Sequence, residues 1–364
     1  MKRKSVLVIG GLGAVGRAAV GVLSQLGYQV MIAGRSARPE YQNYYQLDLF
    51  DRTALARCCQ QVDLVLNTAG PSSLIEDRIA ETAFSTAVHY VDVAGDPAVE
   101  KKILQQISTS QDHCRSACVL GAGFVPGLAA MLPLYAAAYL QPVTKIRLYT
   151  GGIEAFTATS AQDFLVSQQP ERQQGKTGYI LSGGQFIRAG IEKNPPISTA
   201  ERAFDALPYF SFEQERVAQK LSLSHLAAYN LLADRSLLLA ASADQSPAEQ
   251  NNAIQRLITL SQRLVEQEGE QQHLLMEAHG LLAGKSTQLR LQIRFNNSYQ
   301  LTGSIAALVA HQLLKQPMTG LYWLPDIINI RTLLTQLDEL SLFSSFSSDI
   351  LPDDEIVLFQ EGEI

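Results

Sequence analysis

The sequence has no cysteine arrangement that would staple or chelate. Its four cysteines, Cys58, Cys59, Cys114 and Cys118, form no Cys-x-x-Cys pair, and no histidine stands at zinc-finger spacing. Reduced, buried thiols are therefore expected rather than a disulfide framework or a structural metal. Neither His-Glu-x-x-His nor Gly-x-Ser-x-Gly occurs, so zinc-peptidase and serine-hydrolase chemistry have no support. Charge is sparse at 18% and the net balance is −6. With no dense basic cluster, a nucleic-acid partner is not expected. The N-terminal "MKRKSVLVIGG" has no A-x-A-like cleavage site and runs into a glycine turn, so it reads as a first strand rather than a signal peptide. The run Ala117 to Leu140 is uncharged and of membrane-spanning length. Gly121, Gly123, Pro126, Gly127 and Pro133 divide it, which predicts a buried strand, a turn and a helix instead. A cytoplasmic protein with no membrane contact is the expectation.

The composition is that of a globular chain, with 46% hydrophobic residues over a length of 364 that favours more than one domain. Apolar runs at residues 5–9, 29–33, 63–67, 90–93 and 117–120, with a weaker one at 44–47, predict strands. Helical patterns at 14–26, 52–60, 73–86 and 97–108 lie between most of them. Repeated βα units imply an α/β fold: a doubly wound, Rossmann-type parallel sheet over residues 1–122. Beyond it, strands are predicted at 145–150, 274–278 and 288–295, and a long loop or lid at 167–199. "SPAE" at Ser246–Glu249 is a capping box that opens a helix. Residues 123–302 thus read as a second, α+β domain with a strand-rich sheet, for substrate and dimerisation. Residues 303–364 read as C-terminal helices returning to the first domain, with a polar tail from Ser341.

"VLVIGGLGAVGRAAV" supplies Gly11, Gly13 and Gly16 as Gly-x-Gly-x-x-Gly between a strand and a helix. Gly11 permits the tight turn, Gly13 lets a pyrophosphate approach the backbone, and Gly16 packs helix on strand. Ala14 and Val15 begin the helix, whose free N–H groups and dipole suit phosphate. About twenty residues on, where a carboxylate would hold the ribose 2′-OH of NAD, the chain has Arg35 and Ser36. A cation there suits the 2′-phosphate of NADP. Asp48 joins the candidate cofactor set, and NADP(H) is the expected cofactor.

Three further stretches occur in order: "DLVLNTAGPSS", "VHYVDVAGD" and "GAGFVPG". The order resembles the saccharopine dehydrogenase-like (saccharopine reductase) family, from about residue 5 to 330, closely in the first third and diffusely after it. The resemblance implies that Asn67, Ala69, Gly70 and Pro71 line the cofactor and that Gly123, Phe124 and Pro126 approach its nicotinamide end. It also implies hydride transfer to or from a carbon–nitrogen bond on a small-molecule substrate. Where the family has the acid of Gly-x-Asp-Pro-Gly, this chain has Val125. Valine cannot meet an ammonium group, so a free amino-acid substrate is disfavoured.

Reduction of a C=N bond needs one proton at nitrogen. Asp96 occupies the family's acidic position, although "DP" is equally a helix cap. His279 and Tyr149, on predicted second-domain strands, are the other candidates, with ordinary sheet positions as the plainer reading. No tyrosine is followed four residues later by lysine, which excludes the Tyr-x-x-x-Lys pair of short-chain dehydrogenases. The expected activity is NADPH-dependent imine reduction. Some reductases resembling this family reduce a thiazoline on siderophore assembly lines, which would bring a peptidyl carrier domain as partner. Alternatives are an opine, saccharopine or carboxynorspermidine-type dehydrogenase, whose carboxylate site Arg147, Arg172, Arg188 and Arg294 could build, and a non-catalytic NADP-binding sensor. A homodimer is expected.

Overall fold

The computed structural model describes residues 3–352 except Asp96 and residues 110–114, 168–174, 198–201 and 242–246. Its first part alternates as β1 (Ser5–Ile9), α1 (Ala14–Gln25), β2 (Gln29–Gly34), β3 (Tyr44–Gln46), α2 (Arg52–Cys59), β4 (Leu64–Asn67), α3 (Ser72–Ile75), α4 (Arg78–Ser85), β5 (His89–Asp92), α5 (Pro97–Thr109) and β6 (Ala117–Leu120). Every residue of β4 and of β6 is buried, as continuous apolar runs in a doubly covered parallel sheet should be. The helix predicted over 73–86 is two, because Glu76 takes a left-handed conformation (φ 52°) between α3 and α4.

The uncharged run from 117 divides as its glycines and prolines predict, into β6, a turn containing the cis Val125–Pro126 bond, and α6 (Leu128–Ala137). Among the described residues no helix is long and apolar enough to cross a membrane. The chain continues through β7 (Val143–Ile153), α7 (Ala158–Ser167), β8 (Gly175–Thr177), β9 (Tyr179–Ser182), β10 (Gln185–Arg188), β11 (Glu192–Lys193), β12 (Asp205–Ser211), α8 (Phe212–Lys220), β13 (Leu226–Leu232), α9 (Ser236–Ala241), α10 (Pro247–Glu268), β14 (Gln271–Leu282) and β15 (Lys285–Phe295). The described part of the expected loop at 167–199 therefore carries four short strands. β7 lies parallel to β13 and antiparallel to β14, so this sheet is mixed. β14 and β15 pair along their whole length through Ala283 and Gly284, both at positive φ, as a two-residue hairpin turn requires.

The C-terminal part holds α11 (Ser298–Lys315), β16 (Gly320–Trp323), α12 (Leu324–Ile327), α13 (Ile330–Glu339) and β17 (Ser345–Pro352). α11 lies against α1. A Cβ on Gly303 would stand 2.2 Å from the Val15 carbonyl, so glycine is what lets these two helices touch. This part is not only helical. β16 adds a seventh strand to the first sheet beside β6, and β17 pairs with β15 at the edge of the second. Neither strand was visible in the sequence. β16 is four residues long, and almost every β17 residue is exposed, so no in–out alternation marks it.

Candidate functional site

At the carboxyl end of β1 the chain turns through Gly10 to Gly13 into α1. Gly13 N–H donates to the Gly10 carbonyl at 2.8 Å. The left-handed residue is Gly10 (φ +80°), not Gly11, whose missing side chain instead avoids Ile32 at 2.8 Å. The role given to Gly11 therefore belongs to its neighbour. A Cβ on Gly16 would lie 2.2 Å from the Gly10 carbonyl, so helix and turn pack as expected. A Cβ on Gly13 would meet only the Gly10 carbonyl, at 3.1 Å, and otherwise open space. Gly13 caps α1 without a side-chain bond, and the first turn, from Ala14 and Val15, contains no acid. This is a cradle of free N–H groups for an anion.

Arg35 and Ser36 follow β2 with exposed side chains. Their backbones are pinned: Gln46 Nε2 donates to the Arg35 carbonyl at 3.2 Å and the Tyr44 hydroxyl to that of Ser36 at 2.7 Å. Asp48 is spent locally, accepting the Phe50 N–H at 2.9 Å in a turn before α2.

The turns that the resemblance assigns to the nicotinamide end are shaped by buried polar groups. Asn67 (3% exposed) accepts the Ala69 N–H at 3.0 Å and donates to Asp92 at 3.2 Å. Asp92 also accepts from the Tyr90 hydroxyl and from the Ala94 N–H. The Tyr-x-Asp of the quoted motif thus ties the turns after β4 and β5 together, a role not assigned from the sequence. Gly70 and Pro71 meet α7, since a Cβ on Gly70 would lie 2.5 Å from Thr159. Gly123 packs under Thr302 of α11, whose hydroxyl accepts the Phe124 N–H at 3.4 Å, and the Phe124 ring meets Phe295 edge-on. Pro126 completes this turn, and Val125 on it is 49% exposed.

Three acids from beyond the expected NADP-binding segment lie about these turns and the start of α11. Glu154, after β7, accepts the Ser298 N–H at 2.6 Å and the Ser298 hydroxyl; burial pushes its carboxyl up to about 7. Asp163 of α7 accepts from the Ser72 hydroxyl at 3.5 Å, and burial raises it. Glu213 of α8 accepts the Gly127 N–H at 3.0 Å, and burial pushes it up to about 8. Sequence reading missed all three, because each lies far along the chain from the turn it meets and belongs to no motif.

The catalytic candidates fare differently. Asp96 lies outside the described residues. Tyr149 is fully buried in β7, stacked on Tyr229 with ring centroids 5.1 Å apart, and donates to Glu192 at 2.9 Å. Burial and Glu192 hold its hydroxyl far above the usual phenol range. His279 stands opposite Lys145 near the start of β7. The strand meets α11 at its other end, beyond Ile153, about 26 Å away at the usual rise per residue. The structure brings neither residue to the cofactor end. The three described arginines of the candidate carboxylate site are each placed separately. Arg147 pairs with Glu192 at 2.6 Å, Arg188 is exposed beside Tyr179, Arg294 lies on β15, and Arg172 is outside the described residues.

Residues 6–122 match the family model of the saccharopine dehydrogenase NADP-binding domain. That segment is an NADP-binding domain of the saccharopine dehydrogenase family. Its cofactor is NADP(H), and the open face of Gly13, the uncapped α1 and the exposed Arg35 fit it. The whole fold is similar to saccharopine dehydrogenase (L-Glu forming) from Saccharomyces cerevisiae, with 12% identity, a TM-score of 0.70, and 95% of this chain and 100% of that one covered. The DAP dehydrogenase of C. glutamicum aligns more distantly, with 14% identity over 94% of this chain and 99% of that one, at a TM-score of 0.47. Comparison with curated proteins gives no match. The segment that matches this NADP-binding domain is thus joined to a mixed sheet.

Proposed function

We propose that this protein is an NADPH-dependent oxidoreductase that reduces a carbon–nitrogen double bond. The observation that carries the reading is a set of acids: Asp163 and Glu213, bonded at the turns after β4 and β6, and Glu154, bonded at the start of α11. Burial pushes Glu154 up to about 7 and Glu213 up to about 8, so their acid forms persist near neutral pH, and it raises Asp163 in the same direction. NADPH, when bound, supplies the hydride. The chain must orient the acceptor carbon, exclude water and deliver one proton to nitrogen. Asp163 is suited to the proton: it is half-buried, held by Ser72, and lies on the α7 face that meets Gly70.

For the substrate, the exposed apolar side chain of Val125 favours a neutral ring over an ammonium group. A thiazoline, free or on a peptidyl carrier domain, is the leading specific reading, with thiazolidine as product. The opine and saccharopine class, supported by the fold likeness, needs a carboxylate site that Arg147, Arg188 and Arg294 do not build together.

NADPH oxidation followed with a soluble thiazoline, and separately with lysine plus an α-keto acid, tests the proposal. Turnover of the thiazoline alone is expected. Turnover of the amino acid and keto acid alone would return the protein to the opine class, and no turnover with either would leave a cofactor-binding sensor.

A further inference from the structure

Glu213 differs from the other two acids in what surrounds it. Its helix, α8, starts from a capping box in which Ser211 and Gln214 bond reciprocally. The helix then grips the NADP-binding domain. Arg216 pairs with Glu100 of α5 at 2.6 Å, the same Glu100 oxygen accepts the Trp323 indole N–H at 3.0 Å, and Phe212 lies against that indole. Between these contacts Glu213 is only 8% exposed. One carboxyl oxygen accepts the Gly127 N–H, and the other stands 2.3 Å from where a side chain on Gly121 would begin. Both glycines have positive φ, and a Cβ on Gly127 would come 2.1 Å from the Gly123 carbonyl. The turn from 121 to 127 is therefore folded tightly on itself, with one carboxyl filling the space beside it.

We propose that Glu213 is a positioning residue for the cofactor: its carboxyl sets the shape of the Gly121–Gly127 turn, and through that turn the fit of the nicotinamide end of NADP(H). The turn stands at the carboxyl end of β6, the edge of a doubly wound sheet at which dinucleotides bind.

The carboxyl's ionisation gives this role a readout that plain packing would not move. Burial opposes its anion, while the Gly127 N–H and the Arg216 guanidinium favour it. Tyr209 of β12 also faces it, and Glu100 of α5 neutralises part of the arginine. A nicotinamide seated on the turn would shield it from water, so the anion is penalised further in the complex. The complex then holds this proton more tightly than the free protein does, and NADPH affinity falls as pH rises past about 8.

The test is NADPH binding, by fluorescence titration, across about pH 6 to 9.5 for the wild type, Glu213→Gln and Glu213→Ala. 2′,5′-ADP, which lacks the nicotinamide half, is titrated in parallel. The wild type should lose about three- to ten-fold in NADPH affinity between about pH 7 and pH 9. Glu213→Gln keeps an acceptor for Gly127 and should bind near wild-type strength with that loss abolished. Glu213→Ala should bind NADPH about ten-fold more weakly than the wild type near pH 7, with no further fall as pH rises. None of the three should differ in 2′,5′-ADP binding. Unchanged NADPH affinity in Glu213→Ala, an equal loss for 2′,5′-ADP, or a Gln variant that follows the wild-type pH curve would each overturn the proposal.

Discussion

The two ends of the cofactor site are made of different material. The phosphate end is backbone: Gly10, Gly13 and Gly16 fall within one short segment and act through what they lack. The turns expected at the nicotinamide end are held by side chains: Asn67, Asp92, Thr302, Glu154, Asp163 and Glu213 come from six separate parts of the chain. A site of missing side chains tolerates no added atom. A site of converging side chains tolerates replacements that keep the bond. Substitutions at the first end should therefore act as all or none, and those at the second by degrees.

The largest effects belong at the phosphate end, where two neighbouring glycines should fail in different ways. Gly13→Val places methyl groups into the open side of the cradle, so NADPH affinity should fall at least about a hundred-fold while the melting temperature changes little. Gly16→Val must push its side chain into the Gly10 carbonyl, and overpacking of this kind costs about 1–3 kcal/mol or more. Calorimetry and thermal melting of both variants check the split. Gly13→Val binding NADPH normally would mean that the turn is not the cradle.

Arg35 comes next. Its side chain is exposed, and one charge-assisted contact to the 2′-phosphate is worth about 1.5–3 kcal/mol. Arg35→Ala should weaken NADPH roughly ten- to a hundred-fold and leave NADH unchanged. Equal wild-type affinities for the two cofactors would remove this explanation of the arginine.

The difference between the two ends also governs what the sequence reveals. Gly-x-Gly-x-x-Gly is read easily because the turn, the helix start and the close packing lie within a few residues. Even there the strained glycine was misplaced by one, since spacing does not disclose which residue takes φ +80°. Asn67, Gly70 and Pro71 were readable through a motif. Glu213 was not, because its contact with Gly127 exists only once α8 packs against α6. The converse error is also physical. Tyr149 and His279 were singled out as chemically able residues on strands, but strand membership does not say which end of a strand meets the cleft.

At the side-chain end, Glu154 permits a graded test. Its carboxyl ionises near pH 7 in the folded protein and near 4.5 when unfolded. Between those values the unfolded chain releases this proton and the folded one retains it, so the group's contribution to stability falls as pH rises from about 4.5 through 7. Glu154→Gln should remove that part of the decline, flattening the melting temperature over this window by about 2–4 °C relative to the wild type. An unchanged pH profile would mean that Glu154 is not held in its acid form.

The smallest effect is expected for His279. It pairs across the sheet with Lys145 on one side and Gln288 on the other, beside an irregularity at Gly280 where β14 bends against Pro142. The bonds that join the second sheet to α11, at Glu154 just beyond Ile153, lie at the far end of β7. A proton donor must come within hydrogen-bond reach of the nitrogen it serves, and no rotamer of His279 spans about 26 Å of strand. His279→Gln should therefore leave NADPH affinity within about two-fold. Binding and thermal melting decide it. A large loss of NADPH affinity with the fold intact would show that this end of the sheet reaches the cofactor, and the division between a backbone end and a side-chain end would have to be redrawn to include it.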